Sequence, residues 1–324
     1  MPAGHPEVAA RLAGALLSLA GAEPPASDAA HQKIRAEIAD GCPHTLDLLL
    51  ADERTILAGR AAILESPAEI ASLCAKSAGA GLDDRLVRAA RLLAAREELP
   101  VESRLEALGV ETALWKRAHP STSTPAPVPE PLRAQIQTRV RELLARPIAD
   151  ALRHTTLTTA ADVLHDAGDD AGARKLLTDE LARSRVPWYL QGELAAIAAA
   201  RGEADEALRY SAAAVRSAEG RATQIQWRVE ELKTLLKVHP NAPDVELLPR
   251  LRTTYALIAS LPDGFAGRNR RRLGMIVKAL GPVAARPSVR AILTAERARC
   301  ASLDEPRRVA CQTHFDAFPK SPGG

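Results

Sequence analysis

Four cysteines are the residues of this chain best able to carry chemistry, because a thiol can form a disulfide, bind a metal or act as a nucleophile. Cys300 and Cys311 stand on either side of a turn-like segment, 301–306. A disulfide between them would close a loop of about ten residues, contribute on the order of 2–3 kcal/mol and hold the final helix in place. That pairing requires an oxidising compartment, whereas two unpaired buried thiols would fit a cytosolic protein. The pair is therefore a disulfide candidate, with the reduced thiols as the alternative.

No metal or cofactor site is predicted. His314 could join Cys300 and Cys311 as a third metal ligand, but no fourth ligand stands at a suitable spacing. The sequence contains no phosphate-binding loop, glycine-rich dinucleotide loop, nucleophile elbow or HExxH zinc motif. We therefore expect no complete catalytic centre in this chain.

The segment 42–45 (Cys-Pro-His-Thr) resembles the Cys-Pro-His-Cys centre of thioredoxin-fold oxidases, with Thr45 in place of the second cysteine. In such a centre the first thiol is activated at a helix N-terminus that follows a buried strand. A charged helical segment, 31–40, precedes Cys42 here, so we interpret the start of the segment as a turn. An enzyme that uses Cys42 as a lone redox thiol is the alternative. Cys74 lies in an apolar helical stretch and is expected to fill the core.

Aromatic side chains are few, and several of them fall within a short part of the sequence: Trp188, Tyr189, Tyr210 and Trp227. One interpretation is that they pack between successive helices as core. The other is that these amphipathic rings line a concave surface and bind an extended polypeptide. The four residues are therefore our candidates for partner binding.

The composition and the hydrophobic pattern both predict an all-α protein. Apolar residues make up 46% of the sequence and aromatic residues only 3%, and much of the apolar content is Ala and Leu, which favour helices. Ile136, Val140, Leu143 and Leu144 follow the spacing of one helical face. No stretch of useful length alternates as a strand would.

A 34-residue repeat indicates how the helices are arranged. The segment 167–173 is matched by the segment 201–207, each with a glycine in its turn and apolar residues in register on both sides. A helix, a glycine-centred turn and a second helix at this period are typical of tetratricopeptide repeats. We therefore predict antiparallel helical hairpins stacked as an irregular tetratricopeptide-like superhelix, with repeats near 156–218.

A proline-rich segment, 120–131, predicts an extended and exposed linker, since so many prolines cannot be accommodated inside a helix. It divides the chain into an N-terminal helical region, 1–119, and a C-terminal tetratricopeptide-like region, 132–324.

Charge and hydropathy argue against two kinds of partner. The chain has 43 basic and 40 acidic residues, so its net charge of +3 provides no general field for nucleic acid. The one concentrated basic run, 268–272, has no interleaved aromatic residues, so no nucleic-acid partner is expected. No window reaches the ~18 apolar residues of a membrane span. The apolar run 12–20 is interpreted as a helix rather than a signal peptide.

Three parts of the repeat region resemble a bacterial thioredoxin-like family: the tripeptide 187–189 (Pro-Trp-Tyr), the turn 201–203 (Arg-Gly-Glu) and the segment 219–227. In that family a periplasmic thioredoxin domain with a Cys-x-x-Cys centre precedes a long, Ala-rich, tetratricopeptide-like C-terminal region. The pair Cys300 and Cys311 matches in placement two cysteines near the end of the family's region. Arg221 stands where the family has a proline.

The resemblance implies a non-catalytic scaffold, the accessory region of a periplasmic thiol–disulfide oxidoreductase, whose partner is a polypeptide or a thioredoxin-like domain. The thioredoxin domain and its Cys-x-x-Cys centre are missing from this sequence, so the family's catalytic residues have no positions here. The alternative is a cytoplasmic tetratricopeptide-type adaptor that is unrelated to redox chemistry.

Overall fold

The computed structural model describes residues 5–21, 29–79, 81–120, 127–267 and 269–318. Throughout these ranges the regular structure is helical and no strand occurs, which confirms the all-α prediction. The chain forms two compact units, Met1–Leu176 and Leu177–Gly324. Among the described residues, no helix is both long enough and apolar enough to cross a membrane.

The first unit is built around its first helix, which packs against a group of four short helices, and around the two longer helices that follow them. Its core is made of leucine, isoleucine and alanine side chains, with Leu17, Leu46 and Leu86 completely buried. Its helices are α1 (Pro6–Gly21), α2 (Ala29–Asp40), α3 (Cys42–Leu49), α4 (Glu53–Ala58), α5 (Arg60–Glu65), α6 (Pro67–Cys74), α7 (Leu82–Ala95), α8 (Val101–Ala118), α9 (Glu130–Leu144) and α10 (Asp150–Asp166).

The second unit is built around its longest helix, Arg221–Val238, which packs against the two helices before it and the two helices after it. Helix α11 (Asp170–Leu181) spans the division between the units. The helices that follow it are α12 (Pro187–Ala200), α13 (Ala204–Ser217), α14 (Arg221–Val238), α15 (Asp244–Ala259), α16 (Asn269–Leu280), α17 (Pro287–Arg299) and α18 (Arg307–Asp316), with a 3-10 turn at Cys300–Ser302.

Two backbone hydrogen bonds close the turn between α10 and α11. The N–H of Asp169 donates to the carbonyl of Leu164 at 2.8 Å, and the N–H of Gly168 donates to the carbonyl of His165 at 2.9 Å. This bond pair is the Schellman motif, which needs a residue with positive φ at its centre. Gly168 has φ of 85°, a conformation that suits glycine.

The turn between α12 and α13 repeats this geometry 34 residues later. The N–H of Glu203 donates to the carbonyl of Ala198 at 2.9 Å, and the N–H of Gly202 donates to the carbonyl of Ala199 at 3.3 Å. Gly202 has φ of 76°. The short turn makes α12 and α13 antiparallel neighbours, and they pack against each other. The predicted helix–glycine–helix units are therefore present, while their stacking as a superhelix stays a prediction.

The predicted domain boundary differs from the division in the structure. Helix α8 packs against α9 and α10, so the chain on both sides of the proline-rich segment belongs to the first unit. The predicted linker is also too long, because Glu130 and Pro131 lie in the first turn of α9, where proline is tolerated. Val128 is buried rather than exposed. Residues 121–126 of the segment lie outside the described residues.

Candidate functional site

The two tryptophans among the partner-binding candidates are buried. Trp188 and Trp227 are 7% and 5% exposed and form a small apolar cluster with Ala214 and Ala218. Tyr189 is half-buried, and its ring meets that of Trp227 nearly edge-on, with centroids 5.6 Å apart. Both tryptophans therefore match the core-packing interpretation of these rings.

Tyr210 is placed differently, on α13. Its ring is half-buried, and the guanidinium of Arg209 lies 4.0 Å from the ring centroid. An exposed cation held over a ring covers the face that a ligand would use. Trp227 also lines a cavity.

Close packing of α12 on α14 explains how Trp227 reaches that cavity. A Cβ atom added at Gly192 would lie only 2.1 Å from Cζ3 of Trp227, so the indole ring rests directly against the backbone of α12. No other residue type fits at position 192 without moving the ring. Gly192 therefore sets the spacing of these two helices at the cavity wall.

Two adjoining cavities form a groove along one side of α14, flanked by α12 and α16. The first, of about 270 Å³, is lined by Glu193, Ser211 and Trp227 among others. The second, of about 580 Å³, is lined by lysine and apolar side chains from α14 and α16. Both share Ala196, Glu230 and Thr234, and we call the whole surface the α12/α14/α16 groove.

Charge is distributed unevenly along this groove. Lys233, Lys237 and Lys278 line one end. The ammonium of Lys233 lies 2.7 Å from Oε2 of Glu230, whereas Lys237 and Lys278 are exposed and have no ion-pair partner among the described residues. The other end carries Glu193, together with amide and hydroxyl groups. The groove therefore has a basic end and a polar, partly acidic end.

A disulfide joins the predicted pair Cys300 and Cys311, with the two Sγ atoms 2.02 Å apart. Both cysteines are buried, at 0% and 2% exposure. The bond links the 3-10 turn after α17 to α18 and so holds the final helix against its neighbour.

A second disulfide corrects two expectations about the first unit. Cys42 and Cys74 are bonded, with the Sγ atoms 2.00 Å apart, and both are completely buried. Cys74 lies in the core as expected but is not a free thiol. Cys42 opens α3, with Pro43 in its first turn, so the predicted turn is a helix start. No cysteine is free, and the lone redox thiol that the enzymatic alternative required is absent from this oxidised chain.

Sequence reasoning missed a buried pair of side chains in the second unit. The hydroxyl of Tyr255 lies 2.9 Å from Nε2 of His314, and both residues are buried beside Phe265 and Phe315. Burial lowers the pKa of His314 to about 4, and burial, then the carboxylate of Glu296, raises the pKa of Tyr255. Both groups are therefore neutral near pH 7.

The sequence suggests a role for His314 only as a third metal ligand beside Cys300 and Cys311. The cysteines bond each other instead, and His314 faces Tyr255. Among the described residues, no group of three or more histidine, cysteine, aspartate or glutamate side chains could hold a metal ion. The pairing of Tyr255 with His314 has no local signal, because the two residues are 59 positions apart.

The features that bear on function are thus a groove of mixed charge, two buried disulfides and a neutral Tyr–His pair. The one hydroxyl–imidazole pair among these features is buried, with Tyr255 at 0% exposure, so its oxygen is closed to the substrate that covalent catalysis requires. Comparison with known proteins supplies no family: neither any protein-family model nor any curated protein sequence matches the chain.

Proposed function

We propose that this chain is a non-catalytic helical-repeat scaffold that binds an extended polypeptide in the α12/α14/α16 groove. The observation that carries the proposal is the order of the helices in the second unit. Helix α12 packs on α14 and α14 packs on α16, so alternate helices are neighbours along the groove. In tetratricopeptide arrays, stacked helix pairs create extended concave binding surfaces.

The length of the groove favours a chain rather than a compact ligand. Gln226 and Lys237 lie at its opposite ends on α14, and a helix rises 1.5 Å per residue, so they are roughly 16 Å apart along the axis. An extended polypeptide advances about 3.3 Å per residue, so roughly five residues would fit between them.

The charges of the groove favour an acidic sequence at one end. Lys237 and Lys278 are exposed and unpaired among the described residues, so their ammonium groups are available to carboxylates of a bound chain. At the other end, Oε1 of Gln226 already accepts from Arg272, which leaves its amide N–H groups to donate to backbone carbonyls of a bound chain. A peptide whose acidic residues lie at the lysine end is therefore the preferred ligand.

The compartment forms part of the same proposal. Two buried disulfides in one chain favour an oxidising environment. Periplasmic location, and a thioredoxin-like domain or its polypeptide client as the partner, follow from the resemblance of segments 187–189 and 219–227 to the thioredoxin-like family. A cytoplasmic adaptor unrelated to redox is the competing assignment, and it requires four reduced thiols.

Charge reversal in the groove tests the binding site. We expect the double variant Lys237→Glu with Lys278→Glu to weaken binding of a fluorescein-labelled acidic peptide by about tenfold or more, because attraction becomes repulsion. Fluorescence anisotropy measures the affinity, with a peptide in which Lys replaces Glu as the second ligand. That basic peptide should gain affinity for the double variant.

A matched control separates the groove from general surface charge. Lys76→Glu makes the same change at an exposed lysine of the first unit and should leave peptide binding as it is. If the groove variant and this control weaken binding equally, or if neither weakens it, the groove is not the binding site.

A further inference from the structure

A further cavity, of about 560 Å³, lies between α16 and α18 in the second unit. Its wall is mainly apolar and comprises Phe265, Leu273, Val277, Val309, Ala310 and Ala317. Volumes of this size are typical of sites for small molecules. The cavity shares no lining residue with the α12/α14/α16 groove, since it uses a different face of α16.

Gly274 keeps one wall of this cavity open. It lies inside α16, where glycine costs roughly 1 kcal/mol relative to alanine. Neither the backbone nor the packing requires it, because its φ is not positive and a Cβ atom added there would meet no atom within 4 Å. Gly274 is exposed and lines the cavity, so the open space beside it adjoins the cavity.

His314 contributes a polar but uncharged part of the wall. Its Nε2 faces the hydroxyl of Tyr255, and Nδ1 makes no hydrogen bond among the described residues. Because burial holds the pKa of His314 near 4, no charge has to be desolvated when an apolar group covers the ring at neutral pH. The interior therefore suits an apolar chain.

Arg270 supplies the charge that the interior lacks. It lines the cavity from the first turn of α16, its side chain is exposed, and it has no ion-pair partner among the described residues. The partial positive charge of a helix N-terminus adds to that of the guanidinium. An anionic group at the mouth would thus be stabilised while its chain lies inside. Val309, which is 53% exposed, would be covered by such a chain.

We propose that the α16–α18 cavity binds a small monocarboxylic acid with an apolar chain. The carboxylate pairs with Arg270, and the chain lies against Phe265 and Val309 beside the open space at Gly274. This site is independent of the polypeptide groove, so the two assignments succeed or fail separately.

Isothermal titration of the whole chain with octanoate tests this site, with octanol and acetate as partial ligands. We expect octanoate to bind with one site per chain at neutral pH, and octanol and acetate to bind at least about tenfold more weakly, since each lacks one of the two contacts. No binding at millimolar octanoate, or equal binding of octanol, would overturn the proposal.

Two variants locate the site. Gly274→Leu should fill the open space and weaken octanoate binding about tenfold or more, while circular dichroism reports whether α16 is retained. Arg270→Gln alters an exposed side chain, so it should leave the fold intact and reduce the affinity for octanoate to that for octanol. Arg271→Gln, the neighbouring exposed arginine outside the cavity, is the matched control. Equal effects of the two arginine variants would contradict the assignment.

Discussion

At the scale of single residues, the burial of neutral His314 beside Tyr255 makes the free energy of unfolding depend on pH. The unfolded chain takes up a proton at His314 with a pKa near 6.5, whereas burial lowers the pKa of His314 in the folded state to about 4. As the pH falls from 6.5 towards 4, the unfolded state binds a proton that the folded state excludes. The free energy of unfolding should therefore fall by about 2–3 kcal/mol over this range through His314 alone.

Urea denaturation at pH 7.5 and at pH 4.5 measures this effect. Carboxylates also titrate between these two pH values. The fall in the free energy of unfolding is therefore compared between the native chain and the variant His314→Gln, which keeps a polar group opposite Tyr255. We expect the loss to be smaller in the variant by about 2 kcal/mol. An identical loss in both proteins would mean that His314 is protonated in the folded state.

Single residues also show what the sequence alone can and cannot predict. The types of Trp188 and Trp227 predicted an aromatic cluster, but an amphipathic ring at helical spacing fits a core and a binding surface equally well. The burial of Trp227 depends on how close α12 comes to α14, which is set by Gly192 on the other helix. The sequence alone does not indicate that Lys237 and Lys278 line one groove. Lysines far apart in the sequence form a charged surface only when their helices pack side by side.

At the scale of elements, the two repeat turns predict the same response to the same substitution. Gly202→Ala places a Cβ atom in a positive-φ conformation, with no neighbouring atom within 4 Å, so only the backbone energy changes. We expect a loss of about 1–2 kcal/mol in the free energy of unfolding, and a similar loss for Gly168→Ala. Chemical denaturation followed by circular dichroism measures both.

Gly109→Ala is a control that should raise the free energy of unfolding instead of lowering it. Gly109 lies inside α8, and an added Cβ atom would make only ordinary contact with Val163 at 3.6 Å. Helix propensity should then raise the free energy of unfolding by about 1 kcal/mol. If Gly202→Ala were also stabilising, the turn would not use the Schellman geometry.

The elements that could be predicted are those with local signals. Glycines at matching positions predicted the turns at Gly168 and Gly202, and the short span between Cys300 and Cys311 predicted their disulfide. The bond between Cys42 and Cys74 could not be predicted in this way. Its two cysteines lie 32 positions apart and meet only because α3 and α6 pack together.

At the scale of the whole molecule, each compact unit contains one disulfide. In the chain-entropy model, the bond between Cys42 and Cys74 contributes about 4 kcal/mol and the bond between Cys300 and Cys311 about 3 kcal/mol. Reduction should therefore lower the melting temperature of both units rather than of one. Calorimetry with and without a reductant that cleaves buried disulfides tests this expectation.

The oxidation state of the native protein separates the two proposed compartments. We expect the chain purified from its own cell under non-reducing conditions to resist alkylation by iodoacetamide after denaturation, because no thiol is free. Intact-mass spectrometry measures the number of alkylated sites, and the same chain after reduction is the control. Four alkylated cysteines in the untreated sample would favour the cytoplasmic adaptor.

The repeat turns have a consequence for how such a chain can change over evolutionary time. Each turn is closed by the same pair of backbone hydrogen bonds around one glycine, whereas the side-chain contacts beside it differ: His165 to Asp170 at the first turn and Arg201 to Glu203 at the second. Mutations around the glycine can accumulate while the path of the chain stays the same. A duplicated unit of this kind can diverge until its residues no longer resemble those of its copy, and still be recognised by the position of its glycine.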